Sequence, residues 1–265
     1  QAIEAGHLRP DTDPDQLGWK TLAVNLSDLA SKGAAPVGML AGTGLTRDAA
    51  WNAAFVEGLG EATRALGVPL LGGDTVVMPE GAPRTFGLTA IGRVNFTPPS
   101  RIGAAPGDVL YVAGVIGDAG LGLDIALGRR TGPDSLLAAY RRPVPLLDSG
   151  RLLAGHVTAM MDVSDGLLQD LGHIARASHC QAILETTLLP SCPAGVDVNL
   201  WHTCLLGGGD DYELLFTAPT SARDAVTTLS HQLSLPLTRI GQMHPMQDGA
   251  EQGTMSGDAV QLLDQ

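Results

Sequence analysis

Leu22, Leu26, Leu29 and Ala30 recur at the spacing of one helical face, between an Asp13-Pro14 start and a Lys32-Gly33 stop. Asn25 and Asp28, three apart, share another face of the same predicted helix. Residues 35–45 read as a strand, and Thr46 is expected to cap a second helix that ends at Gly67. A short buried strand at 69–71 is expected to run straight into Gly72-Gly73-Asp74, and residues 84–94 alternate like another strand. Pro98, Pro99, Gly103, Pro106 and Gly107 then break all periodicity, which predicts a boundary between domains 1–100 and 101–265. Beyond it, residues 109–113 read as a strand, and Gly114, Gly117, Gly120 and Gly122 lead into a helix. Pro143 and Pro145 precede another helix from about residue 148. A strand at 159–163 ends in Asp162-Val163-Ser164-Asp165-Gly166, and Leu167, Leu171, Ile174 and Ala175 mark the helix after it. Strands at 181–185, 212–217 and 237–240 and a helix from Thr220 follow, with little pattern after Met243. No internal repeat is visible. Mixed strands and helices with moderate connections predict two α+β domains.

Charge narrows the partners. The 265 residues carry a net charge of −12 with a pI near 4.8, and only two lysines, Lys20 and Lys32. Such a chain has no electrostatic footprint for nucleic acid and no basic patch for anionic lipid. No apolar run approaches the roughly 18 residues of a membrane span. The opening residues do not read as a signal peptide, so a cytoplasmic setting is expected. Cys180, Cys192 and Cys204 are odd in number and lack CxxC spacing, which argues against a disulfide framework or a zinc knuckle.

The candidate chemistry is acidic. Asn25-Leu26-Ser27-Asp28, Gly72-Gly73-Asp74-Thr75, Asp162-Val163-Ser164-Asp165-Gly166 and Gly208-Gly209-Asp210-Asp211-Tyr212-Glu213 each place carboxylates where regular structure is expected to give way. Acidic clusters in an acidic chain call for a cation, and a divalent metal carrying a phosphorylated ligand answers that need. Asp162 and Asp165 at a strand-to-helix junction can aim at one ligand, with free helix N–H groups for a phosphate; the same residues also suit plain N-capping. The glycines before Asp74 allow backbone to approach a nucleotide, or simply make a turn. Asp28 near a helix C-terminus opposes the helix dipole unless a cation compensates, and it also suits a solvated surface. Asp210 beside Asp211 suits a cationic organic substrate or a solvated turn. Gly114-Val115-Ile116-Gly117-Asp118-Ala119-Gly120 departs from G-x-G-x-x-G and reads as a tight turn. No Walker lysine loop and no protein-kinase motif set is present, so metal and arginine, with Arg101 best placed, would have to neutralise a triphosphate.

In order, Val24 to Ala34 (VNLSDLASKGA), Gly72-Gly73-Asp74-Thr75, Asp162-Val163-Ser164-Asp165-Gly166-Leu167 and Gly209-Asp210-Asp211-Tyr212-Glu213-Leu214 resemble the thiamine-monophosphate kinase family. That family belongs to the aminoimidazole ribonucleotide synthetase-like superfamily. The resemblance implies a homodimer joined through N-terminal sheets, with a C-terminal α/β sandwich. It implies magnesium-dependent, in-line transfer of the γ-phosphoryl group of ATP to thiamine phosphate, with no covalent enzyme intermediate. By the same resemblance Asp28, Asp74, Asp162 and Asp165 hold metal. Gly73, Asp74, Arg101 and Ser164 contact ATP. His7 and Asp210 contact thiamine phosphate, Asp210 standing where relatives often have Glu; its negative charge adds the separate expectation that it faces the cationic thiazolium. The resemblance also puts a Gly-Asp-Asp segment and a Thr-Asp pair ahead of Gln1, so the chain as written is expected to bind Mg-ATP weakly. Two alternatives stand beside this reading: another ATP-using enzyme of the superfamily, such as aminoimidazole ribonucleotide synthetase, and a non-catalytic nucleotide- or thiamine-binding relative.

Overall fold

Asp13 and Pro14 open the first helix, α1 (Pro14–Ala30), with proline at its first position and the Asp13 carbonyl accepting from the Leu17 N–H. The computed structural model describes residues 2–3, 12–246 and 259–263, residues 2–3 by backbone alone. The helix packs against α2 (Ala49–Ala65), and both cover one face of a four-stranded sheet. That sheet contains β1 (Ala2–Ile3), β2 (Ala35–Leu45), β3 (Leu70–Val77) and β4 (Thr85–Arg93) in the order β1-β4-β2-β3, with β2 and β3 parallel. The core beneath joins Leu22 and Leu26 of α1, Phe55 and Ala62 of α2, and Met39 and Phe86 of the sheet. Trp51, Phe55 and Phe86 stack there at centroid distances of 4.5 to 5.9 Å. The other face of the sheet keeps Val37, Leu40, Leu71, Val76 and Ile91 exposed.

Two expectations for this half need correction. Asp48, not Thr46, caps α2, its carboxylate accepting from the Trp51 N–H at 3.1 Å; Thr46 holds the Asn52 amide through its carbonyl instead. The strand expected at 69–71 is longer and exposed. It forms the edge strand β3, so Gly72-Gly73-Asp74-Thr75 lies inside a strand and not in a turn after one.

The second sheet has six strands: β5 (Val109–Ala113), β6 (Ala159–Asp162), β7 (Cys180–Glu185), β8 (Leu214–Ala218), β9 (Leu237–Pro245) and β10 (Val260–Leu263). Their order is β10-β7-β9-β5-β8-β6, and every neighbouring pair is antiparallel except β7 and β10. Alternate residues feed two cores, as a period of two requires. Leu110, Val112 and Leu215 face α3 (Asp118–Ala126), α6 (Leu167–Ala177) and α7 (Val198–Gly207). Val109, Tyr111, Leu214 and Phe216 face α5 (Leu147–Leu153) and α8 (Arg223–Leu233). Burial on both faces explains why VLYVA is an unbroken apolar run and why LLFTA is interrupted only by Thr217, whose hydroxyl is hydrogen-bonded. Helix α4 (Asp134–Arg141), unforeseen from sequence, buries no residue and lies on α3. Helix α7 and strand β10 were equally unforeseen; residues 247–258, within the stretch expected to lack pattern, lie outside the described residues. Among the described residues no helix is long and apolar enough to cross a membrane.

Helix α1 belongs to both halves. Its Ala30 sits in the core shared by α5 and α8, and the Trp19 indole N–H donates to the Pro143 carbonyl at 3.0 Å. The crossing of α1 and α2 needs Gly58, since a Cβ there would lie 1.8 Å from the Asp15 carbonyl oxygen. Gly58→Ala gains about 1 kcal/mol of helix propensity but overpacks the crossing, at a cost of about 1–3 kcal/mol or more. A lower urea midpoint is expected, read by fluorescence of Trp19 and Trp51 in this core; an unchanged or higher midpoint would show that the helices separate freely.

Candidate active site

A hollow of about 370 Å³ opens where the last turn of α1, the segment around Arg101 and the end of β6 meet. Asp28, Ser31, Lys32, Ser100, Arg101 and Asp162 supply its polar lining. Asp162 ends β6 and is buried, 6% exposed. The Ser27 hydroxyl, fully buried, donates to its Oδ2 at 2.6 Å and lies 3.3 Å from the Tyr212 carbonyl oxygen. Asp28, the next residue on α1, stays at the exposed rim. Partial burial and then the nearby Asp162 raise the Asp28 carboxyl above the usual range, while Lys32 and Arg101 oppose that rise. Burial and then Arg101 lower the Lys32 ammonium. Two carboxylates, two cations and two hydroxyls thus converge, a donor set that can take a hard divalent metal and polyphosphate oxygens together.

Two of the acidic motifs run side by side beyond the paired ends of β6 and β8. The Val163 N–H donates to the Glu213 carbonyl, the Tyr212 N–H to the Val163 carbonyl and the Asp210 N–H to the Ser164 carbonyl, at 2.8 to 3.0 Å. The N–H groups of the turn that precedes α6 are already engaged. Those of Ser164, Asp165 and Gly166 all donate to Oδ2 of the buried Asp170, at 3.0 to 3.2 Å. The expected Asp or Ser cap is absent, for the N-cap of α6 is Gly166, without a side-chain cap hydrogen bond. Asp165 is exposed, accepts from the Gln169 amide at 3.0 Å, and is not part of the hollow's lining. Ser164 is half-buried beside it.

Asp74 is likewise outside that lining. It is exposed on β3, opposite Gly42 of β2, and its Oδ1 accepts from the Thr75 N–H at 2.9 Å. Gly73 is a glycine for a local reason: at φ 157° its Cβ would sit 1.9 Å from the Ala41 carbonyl oxygen. His7 lies outside the described residues.

Asp210 already has a cationic neighbour. Lys20 Nζ lies 3.1 Å from its Oδ2, and the Tyr212 hydroxyl donates to its Oδ1 at 2.8 Å. Asp210 and Tyr212 both adopt left-handed backbone, φ 67° and 54°. Between them Asp211 turns inward, where its carboxylate accepts from the N–H groups of Gly117 and Ala119 at 2.9 and 3.2 Å and so caps α3 from a distant loop. Burial pushes this carboxyl up to about 7 against those two bonds. Sequence reading gave no such role to Lys20, Ser27, Asp170 and Asp211. For the first two a signal existed: Lys20 and Ser27 are seven apart, two turns along one face of α1.

Two predictions follow from this geometry. Ser27→Ala leaves Asp162 Oδ2 without its buried donor, so stability should drop by about 1–3 kcal/mol in a urea titration; no loss would mean that the bond does not hold the domains. Glu213 has its Oε2 sealed from solvent without a hydrogen-bond partner, and burial pushes its carboxyl from 4.5 up to about 8. The folded state therefore holds this proton more tightly than the unfolded chain. The stability it contributes is full below pH 4.5 and is lost as pH rises through about 8. Glu213→Gln should accordingly flatten the fall of the thermal midpoint between about pH 5 and pH 9; parallel curves for parent and variant would refute the assignment.

With this geometry in place, comparisons with known proteins become informative. Residues 2–94 match the family model of AIR synthase related protein, N-terminal domain, and residues 105–252 match its C-terminal domain. The chain is 38% identical over 251 residues to the thiamine-monophosphate kinase of Escherichia coli K12, covering 91% of this chain and 76% of that one. The crystal structure of the Stenotrophomonas maltophilia K279a thiamine-monophosphate kinase superposes with a TM-score of 0.83 at 34% identity, covering 98% of this chain and 82% of the other. AaThiL complexed with AMPPCP and TMP superposes with a TM-score of 0.76 at 25% identity, covering 98% and 80%.

Proposed function

The chain belongs to the thiamine-monophosphate kinase family of AIR synthase related proteins and is a phosphotransferase, and from that premise we propose that it phosphorylates thiamine phosphate to thiamine diphosphate with ATP. The observation that carries the reading is the pairing of Asp28 with Asp162, across two domains, in one hollow with Arg101 and Lys32. A relative solved with AMPPCP and TMP supports both substrates.

We further propose magnesium as the cofactor. The residues fit it: Asp28 and Asp162 are hard oxygen donors in one hollow, and a divalent cation offsets both the burial that chiefly raises the Asp28 carboxyl and the repulsion from Asp162 that adds to it. When bound, the metal supplies charge cancellation between two polyanionic reactants. Arg101 and Lys32 then bind phosphate oxygens from the same lining, and the Ser27 hydroxyl holds Asp162 at the edge of the hollow. With both reactants held in line, the terminal P–O bond of ATP breaks as a phosphate oxygen of thiamine phosphate bonds to the transferred phosphorus, and ADP leaves. No side chain need take the phosphoryl group.

For Asp74 and Asp165 as metal ligands, Gly73, Asp74 and Ser164 as ATP contacts, and His7 and Asp210 as contacts of thiamine phosphate, the support is the family motifs. For Asp28, Asp162 and Arg101 it is also the shared hollow. We propose that the chain works as two domains, 1–100 and 101–265, and dimerises through the exposed apolar face around Leu40, Leu71 and Ile91.

The test is thiamine diphosphate formation from Mg-ATP and thiamine phosphate, followed by chromatography of the product. Asp28→Asn and Asp162→Asn are each expected to lower kcat/KM by about 100-fold or more while the fold persists. Variants of parental activity would remove the hollow from the reaction, and a parent that makes no thiamine diphosphate would overturn the function itself.

A further inference from the structure

We propose that Lys20 is a positioning residue that neutralises Asp210, so that this carboxylate selects the phosphate acceptor by accepting a hydrogen bond from an amine-bearing ring and not by attracting a positive charge. The inference rests on the reading above that Asp210 faces thiamine phosphate. That acceptor offers two recognition elements, a cationic thiazolium and an uncharged aminopyrimidine, and the structure distinguishes between them.

The ammonium of Lys20 is the inner partner of the pair. Its side chain is 17% exposed against 37% for Asp210. It donates to the Tyr140 carbonyl at 2.9 Å, stands 4.0 Å from the centroid of the Tyr140 ring, and lies 5.9 Å from that of Tyr212. Burial lowers its pKa, and Asp210 opposes that effect. Such an ammonium is enclosed by a carboxylate, a carbonyl and aromatic faces, all of which favour the charged form. Lys20 and Tyr212 each occupy one oxygen of Asp210. A carboxylate oxygen has lone pairs beyond one such bond, so the open edge of Asp210 still accepts hydrogen bonds although its charge is matched.

The loop is built to keep that edge in place. Left-handed backbone at two non-glycine residues is strained, and here neighbours impose it. The Asp210 and Tyr212 N–H groups are bonded to Ser164 and Val163, while Asp211 is anchored on Gly117 and Ala119. Length agrees with chemistry. Lys20 and Ser27, which hold Asp210 and Asp162, are seven positions apart, about 10 Å along the axis of α1. The thiazolium is tied to the phosphate ester through only two carbons, so the more distant aminopyrimidine is the ring that reaches Asp210 when the phosphate lies beside Asp162.

Steady-state assays with three acceptors decide the matter: thiamine phosphate, its analogue with oxygen in place of the ring amino group, and its analogue with a neutral thiophene in place of the thiazolium. The protein should lose about 10-fold or more in kcat/KM on the oxygen analogue and clearly less on the thiophene analogue. Lys20→Met should raise KM for thiamine phosphate by about 10-fold or more, leave KM for ATP within about twofold, and erase discrimination against the oxygen analogue. Lys20→Arg, which keeps the cation, should restore most of the acceptor affinity. An equal or larger loss on the thiophene analogue overturns the inference, as does a Lys20→Met variant with parental KM for thiamine phosphate. If Lys20→Met fails to fold, the analogue comparison on the parent still decides. A parent that makes no thiamine diphosphate defeats the proposed function; a parent that makes it with the reversed analogue preference defeats only this inference.

Discussion

The short hydrogen bond from Ser27 to Asp162 fixes the relation between the two halves of the molecule. It is fully enclosed, it joins a helix of one half to a strand end of the other, and it adjoins Asp28 in sequence. An enclosed charge-assisted bond is costly to break, because the carboxylate left behind has no water to replace the hydroxyl. The position of α1 against the second sheet is therefore set to within a bond length, and with it the spacing of Asp28, Asp162 and Arg101. Trp19 to Pro143 and Lys20 to Tyr140 and Asp210 repeat the device further up the helix.

Electrostatics divides α1 into two stations. At its C-terminal end two carboxylates stand close together with positive groups nearby, which suits a metal and phosphates. Two turns earlier, a single carboxylate is matched by an ammonium and a phenol. The first station offers groups of both signs to ligands, and the second offers one matched pair with hydrogen-bonding capacity to spare. Both depend on acidic side chains that reach back to satisfy backbone N–H groups, Asp170 at α6 and Asp211 at α3. The turns before α6 and α3 thus have backbone N–H groups closed by the protein's own carboxylates.

Legibility followed burial and locality. The start of α1, the buried strands of the second sheet and the junction after β6 were visible because capping, apolar runs and breakers are local signals. Asp28, Asp162 and Arg101 were found as separate motifs, and the fold brings them together. Gly73 and Asp74 were misplaced because a glycine required by a neighbouring strand's carbonyl resembles a glycine required by a turn. Helix α4 left no periodic trace since it buries nothing. The partner of Asp210 lies 190 positions upstream, beyond any local pattern, although its two-turn offset from Ser27 marked it as facing the same way.

The scarcity of lysine has a practical outcome. With ammonium side chains only at positions 20 and 32, both next to acidic groups proposed to meet ligands, reagents that acylate amines encounter few side chains elsewhere on the molecule. Labelling or surface immobilisation through amines would therefore fall on the chemistry itself, and cysteine or carboxyl coupling is the safer handle.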